Sequence, residues 1–367
     1  MLGKIILDLA PTPENQRNSE GAFIYLKNGD ILFAYSRYSG GIDDGCTADI
    51  YGIISKDDGE TFGEPFEIIT HEQMNADNIM SVSFLRMAND DIGMFFLAKR
   101  DQDQCICYLI RSADEGKTWS EAVLCSEPTG YICVNNDRVI RTESGKILVP
   151  AALYQPIIRY DDNGNKIFKG CTTGDLHIYE SDDDGYTWNT IVKDITIPIS
   201  RGCTSGVQEP GLLETEKGKL WCFIRNFSSR QYECFSEDDG KTWDTPLPSC
   251  FMSPASPLCS KKLSDGRIIA IWNPIPAYFG RQTVFENGMW TGGRDPLVLA
   301  VSTDNGKTFG TPVVIDKDEL DERRGFCYTA IFETKDNSIL LGYCAGSQAD
   351  RGILCRTRIR KVSLSEF

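Results

Sequence analysis

The chain of 367 residues carries 53 acidic and 38 basic side chains, a net charge of −15, and only two histidines. So acidic a surface argues against nucleic acid or an anionic membrane as the main partner, because both require basic surface, while 41% hydrophobic and 10% aromatic residues are ample for a packed core. No run approaches the ~20 apolar residues of a membrane span, and without paired cysteine spacing His71 and His177 give no expected metal site and no cofactor.

The N-terminus, Met1 to Pro11, lacks the roughly 7–15-residue apolar region of an export signal and carries Asp8. Of fourteen cysteines, most fall inside apolar runs, among them Cys107, Cys125, Cys222, Cys344 and Cys355. They are expected as reduced, core-packing thiols of a cytoplasmic protein.

In chain order, the first element is a strand over Lys4–Leu9. Residues 17–51 follow as two strands around the glycine-rich, acidic loop Ser39 to Thr47, which reads either as a solvated hairpin tip or as a mobile loop holding a carboxylic acid over a pocket. At Ser55 begins a turn of the form S-x-D-x-G-x-T-[W/F], repeated from Ser112, Ser181, Ser236 and Ser302. In each, the aspartate accepts hydrogen bonds from nearby backbone N–H groups and the glycine supplies a positive φ. The Thr and the aromatic, Phe62, Trp119, Trp188, Trp243 or Phe309, then start a strand.

A second unit, a tight turn followed by an apolar strand, runs in step. Its copies lie at Lys27–Ile31, Thr142–Ile147, Glu216–Leu220 and Ser264–Ile268, with weaker ones at Asn89–Ile92 and Asp336–Ile339. Six units at about 60 residues each suffice for six four-stranded sheets. The expected fold is all-β, a single six-bladed β-propeller over residues 1–367, with Lys4–Leu9 completing the last blade.

Within the second blade, Lys99-Arg100-Asp-Gln-Asp103 reads as a solvated hairpin end. The third opens with Asn135-Asn136-Asp137-Arg138, four polar residues that either cap the blade or line a pocket. In the fourth, a polar run from Arg201 leads to Gln208-Glu209, and Arg225 ends the next strand, so a hairpin can set Glu209 beside Arg225. The fifth contains a long segment from Tyr278 to Arg294, and the sixth starts a strand at Tyr328.

The five turns resemble the Asp-box (BNR) repeats of the sialidase (neuraminidase) superfamily, and the order of polar residues is similar to its bacterial family 33 glycoside hydrolases across nearly the whole chain. The resemblance implies a retaining exo-glycosidase that removes a terminal acidic sugar of the sialic acid type, with a small acidic oligosaccharide as partner. It implies Tyr328 as nucleophile, Glu209 as its activating carboxylate, Asp44 or Asp43 as acid/base with Asp49 behind them, and Arg225 and Arg294 as two carboxylate-binding arginines. For the first arginine, Arg17 is followed by Asn-Ser-Glu20 where sialidases usually carry Arg-Ile-Pro, and Arg37 is a second candidate. Asn136 and Arg138 join the substrate-binding candidates. This departure leaves two other readings of the same fold: a hydrolase or lyase for a uronate-containing glycan, and a noncatalytic glycan-binding propeller. The acid is expected to have a raised pKa, through burial or neighbouring negative charge.

Overall fold

Strand-forming residues in short apolar runs, separated by Gly- and Asp-bearing turns, dictate antiparallel meanders, and the computed structural model consists almost wholly of them. It describes all residues except 102, 200–202, 204, 277–283, 287–288, 292 and 322, so Arg201 and the start of the segment from Tyr278 to Arg294 lie outside the described residues.

Six four-stranded antiparallel units follow one another. The first comprises Arg17–Tyr25, Ile31–Tyr38, Ala48–Ser55 and Phe66–Ile69, and the second Asn78–Arg86, Ile92–Arg100, Gln104–Ser112 and Val123–Leu124. The third is built on Ile147–Tyr154, Asp175–Ser181 and Asn189–Ile195, its inner strand split into Tyr131–Cys133 and Ile140–Arg141. The fourth holds Gln208–Glu216, Lys219–Arg225, Arg230–Ser236 and Leu247–Met252; the fifth, Cys259–Lys262, Ile268–Trp272, Leu297–Ser302 and Val313–Asp316. The sixth takes Cys327–Glu333, Ser338–Cys344 and Thr357–Ser363 from the C-terminal end. Its fourth strand is Lys4–Leu9, paired in the register Lys4↔Lys361 to Leu9↔Thr357, as expected.

The second and third units form one continuous nine-stranded sheet, because Tyr131 pairs in parallel with Cys105. Two further hairpins, Pro156–Tyr160 with Lys166–Cys171 and Val284–Glu286 with Met289–Thr291, are inserted in the third and fifth units. No sheet closes on itself among the described residues. The only helix described is the 3-10 turn Leu364–Glu366, and no helix among the described residues is long and apolar enough to cross a membrane.

Apolar side chains are buried between units. One cluster joins the first and second through Ile50 and Ile79, another the second and third through Phe95 and Val149, and a third the third and fourth through Ile178 and Leu220. Trp221 and Trp272 connect the fourth and fifth, Ile269 and Leu341 the fifth and sixth, and Phe33 and Leu340 the sixth and first. All fourteen cysteines are free.

The five turns are nearly identical. In each, the Ser hydroxyl donates to the Asp (2.8–2.9 Å) and accepts from the Gly N–H (2.6–3.0 Å). The Thr donates its N–H (2.8–2.9 Å) and its hydroxyl (2.6–2.7 Å) to the two carboxylate oxygens. The residue before the glycine is also left-handed, with φ of 56–64°, which the sequence pattern does not reveal. In four turns this residue accepts a hydrogen bond from the first hairpin turn of the preceding unit: Glu115 from Lys27 N, Asp184 from Ala88 N, Asp239 from Ser144 Oγ, and Asp58 from Asp336 N of the sixth unit. The two sequence repeats therefore lock onto each other between units.

Candidate active site

The meander places the five Ser-Asp turns and the first hairpin turns of the units at one edge, and the connections from second to third strand at the other. At this second edge the connections 39–47, 226–229 and 345–356 surround a cavity of about 650 Å³. Arg17, Asp43, Asp44, Glu209, Arg225, Arg294 and Tyr328 line it, with Phe227, Ile353 and Leu354 as apolar wall.

Arg17, Glu209 and Tyr328 come from innermost strands, where the ladder is interrupted; Arg225 ends a second strand, Arg294 precedes a third, and Asp43 and Asp44 lie on the connection 39–47. Register breaks fall between Ser19 and Ala22, Met80 and Ser83, Gln208 and Gly211, and Cys327 and Ala330. At each break one non-glycine residue is left-handed: Glu20 (φ 57°), Ser81 (63°), Glu209 (41°) and Tyr328 (58°), with Asp137 (55°) between the split halves of the third unit's inner strand. Such backbone is costly for a side-chain-bearing residue and re-aims that side chain out of the strand's alternation.

Tyr328, only 7% exposed, donates its hydroxyl to Glu209 Oε1 at 2.8 Å. The same oxygen accepts Arg225 Nη1 at 2.6 Å, and this nitrogen also reaches the Tyr328 hydroxyl at 3.2 Å. Glu209 Oε2 is buried without a hydrogen-bond partner among the described residues. Burial and the Glu209 carboxylate push the Tyr328 phenol well above its ordinary pKa, against the opposing pull of Arg225 and Arg294. Arg294 approaches from the other side, its guanidinium 5.4 Å from the Tyr328 ring centre, donating to Ala255 O (2.9 Å) and Cys327 Sγ (3.0 Å).

Across the cavity, Arg17 Nη1 holds Asp44 Oδ1 at 2.6 Å. The Asp44 side chain is 57% exposed at the cavity mouth; desolvation by the cavity walls opposes its ionisation, but Arg17 and Lys99 hold its carboxyl well below the usual carboxylate range. This reverses the expected raised acid, because the nearest charges are cations. The raised carboxyl is instead Glu20, pushed to about 7 by burial, with Arg17 working against the shift and Asp44 and Glu209 adding to it.

Other candidates lie elsewhere. Arg37 stacks over Tyr51 at 4.4 Å and is absent from the cavity lining. Asn136 is buried beneath the site, donating to the carbonyls of Gly21 (2.8 Å) and Tyr328 (3.1 Å); Arg138 donates to Leu258 O at 2.7 Å and lies 5.0 Å from the Phe223 ring centre. Both brace inner strands rather than face the cavity, which agrees with the capping alternative. Asp49 is engaged by His71 at 2.7 Å. Lys99, expected at a solvated hairpin end, is 6% exposed and donates to Asp44 O at 3.0 Å. It lines a small adjoining cavity of about 50 Å³ together with Glu20, Ser81, Tyr131 and Asn135. Glu20, Lys99 and the apolar wall were not distinguished in the sequence; the one available signal was the replacement of Arg-Ile-Pro by Arg17-Asn-Ser-Glu20.

A family model for the BNR repeat-like domain matches residues 81–342, more than half of the chain. The chain belongs to this BNR repeat-like family. Its fold is that of the sialidase/BNR superfamily, as solved structures bear out. A protein of unknown function from Dyadobacter fermentans is similar over 98% of this chain and 99% of its own, at 17% identity and a TM-score of 0.70. The NanB sialidase from Streptococcus pneumoniae has 13% identity and a TM-score of 0.69, covering all of this chain and 71% of that one. The intramolecular trans-sialidase from Ruminococcus gnavus, solved with oseltamivir carboxylate, has 13% identity and a TM-score of 0.69 over 98% and 97%. No curated protein sequence matches the chain.

Proposed function

We propose that this BNR-family protein is a retaining exo-glycosidase of the sialidase type, removing a terminal acidic sugar from a small oligosaccharide, on a single six-bladed β-propeller with Asp-box turns over residues 1–367. The propeller is supported by the cyclic order of the apolar clusters and turn contacts, in which the sixth unit meets the first. The fourteen free cysteines fit a reducing, cytoplasmic compartment.

One observation carries the activity: Tyr328 and Arg225 share a single oxygen of Glu209 in a largely buried setting. A phenol is a weak nucleophile until a base takes its proton, and Glu209 is placed to take it while Arg225 stabilises the phenolate. An oxocarbenium-like centre beside a substrate carboxylate favours a neutral nucleophile over an anionic one, and sialidases are a known exception to the paired-carboxylate rule in using Tyr. In the first step Tyr328 Oη bonds to the anomeric carbon, its proton passes to Glu209, and Asp44, or Asp43 beside it, protonates the departing oxygen. Water then attacks the glycosyl-tyrosine bond, the same Asp takes its proton, and Glu209 returns the first proton to Tyr328. Arg225 and Arg294 flank Tyr328 and supply charge for the carboxylate.

Wild-type protein is expected to release the fluorophore from a fluorogenic sialoside, and Tyr328→Phe to reduce release by more than about 10³-fold. Activity retained by the variant would reject the nucleophile. A second reading, action on a uronate glycan, is favoured by the Arg17-Asn-Ser-Glu20 departure; a lyase would betray itself by an ultraviolet-absorbing unsaturated product.

A further inference from the structure

Arg17 is 1% exposed, and four of its five N–H donors are already committed to protein. Nε donates to Ser19 Oγ (2.9 Å), Nη1 to Ile42 O (3.0 Å) and Asp44 Oδ1 (2.6 Å), and Nη2 to Glu20 Oε1 (3.2 Å). The guanidinium also sits 4.3 Å from the centre of the Tyr38 ring. A carboxylate bound bidentately requires two parallel donors from one fork, and Arg17 can offer them only by releasing Asp44 or Glu20. Arg225 differs: among the described residues its protein hydrogen bonds all run through Nη1, to Glu209 and Tyr328.

Ile42 and Asp44 both belong to the connection 39–47, which contains Gly40, Gly41 and Gly45 and has little conformational preference of its own. Arg17 pins it at two points and Lys99, through Asp44 O, at a third.

We propose that Arg17 is a positioning residue: it fixes the acid-bearing loop 39–47, and the substrate carboxylate is received by Arg225 and Arg294 without it. This rests on the functional reading above, with Asp44 as the acid/base.

The groups facing Asp44 are Arg17, Glu20 and Tyr38 from its own unit, Lys99 and Cys105 from the second, Tyr131 from the third and Arg225 from the fourth. The cations prevail, and Asp44 is held ionised. An acid whose pKa is depressed loses its proton at lower pH, so the alkaline limb of kcat lies on the acidic side; removing Arg17 moves that limb upward.

The test uses the full chain with a fluorogenic sialoside, measuring kcat and KM from about pH 3 to 8, together with the Kd of free sialic acid by calorimetry. For Arg17→Ala, kcat is expected to fall about 10²-fold through misplacement of the loop, and the alkaline limb to rise by about one pH unit or more. Kd should stay within about threefold of wild type. Arg17→Lys, which keeps the charge without the fork, is expected to leave the limb near its wild-type position and Kd within about threefold. A Kd weakened about tenfold or more in either variant, with the limb unmoved, would overturn the proposal and make Arg17 a carboxylate donor. Should Arg17→Ala fail to fold, the Kd and limb of Arg17→Lys decide alone. An inactive wild type would reject the functional reading, whereas an active wild type with the opposite variant pattern rejects only this inference.

Discussion

The two edges of this molecule are built on opposite rules. At one, five turns repeat the same hydrogen bonds to within a few tenths of an ångström, and in four of them the left-handed residue latches onto the neighbouring unit. At the other, the connections 39–47, 226–229 and 345–356 share neither length nor conformation, yet together they enclose the cavity. Repetition maintains the frame, and the irregular edge is free to carry chemistry. Between them lie the broken inner strands, where the ladder gives up regular pairing to aim Glu20, Glu209 and Tyr328 inward.

That division implies that substitutions at the site edge act on turnover, and those at the turn edge on stability. The largest effect is expected from Glu209→Gln, which removes the proton acceptor of Tyr328 and should lower kcat by about 10²–10⁴-fold. Arg294→Lys retains the charge but loses the fork, and is expected to weaken Kd for a free acidic sugar by roughly tenfold or more in calorimetry. At the opposite edge, Ser55→Ala leaves the Gly59 N–H without its acceptor in a fully buried position. It should lower unfolding free energy by about 1–3 kcal/mol in urea titration, with kcat of the folded protein unchanged. A turn substitution that altered kcat while leaving stability intact would erase the distinction.

The smallest effect is on pH dependence, with opposite signs at the two edges. Hydrogen bonds from Thr61, Thr118, Thr187 and Thr308 bring Asp57, Asp114, Asp183 and Asp304 to about 2 from an ordinary 3.8. Their folded state prefers the ionised form, so their contribution is present above about pH 4 and fades as pH falls towards 2. Exposure to solvent keeps each contribution small. Glu20, raised from 4.5 to about 7, prefers the proton when folded, so its contribution is present below about 4.5 and is lost as pH rises through 7. Urea midpoints across this range should fall at both ends, and Glu20→Gln should flatten the neutral limb alone.

The frame was legible in the sequence because its cause is local: Ser, Asp, Gly and Thr at fixed spacing form a turn wherever they occur, and five copies give the period. The membership of Glu209, Arg225, Arg294 and Tyr328 in one site was implied by the resemblance to the sialidases rather than by the period itself. The choice between Arg17 and Arg37 was not. Arg17 pairs with Tyr38 and Arg37 with Asn18 on adjacent strands, and only the break after Ser19 decides how side chains here point. The left-handed residues at those breaks are not glycines, so Glu20, Ser81 and Tyr328 look like ordinary strand residues. Lys99 escaped notice for a related reason: its neighbour Arg100 does sit at the hairpin end, bonded to Met74 and Asn75 carbonyls, and burial of a lysine depends on the loop that covers it.

The central claim is that Tyr328 forms a covalent bond to the sugar. Its most direct test is incubation of the wild-type protein with a fluorinated sialosyl fluoride, which leaves a slowly hydrolysed glycosyl-enzyme, followed by peptide mapping by mass spectrometry. The account predicts one sialosyl adduct per chain, on Tyr328. An adduct on another residue, or turnover of the sialoside with no adduct at all, would contradict it.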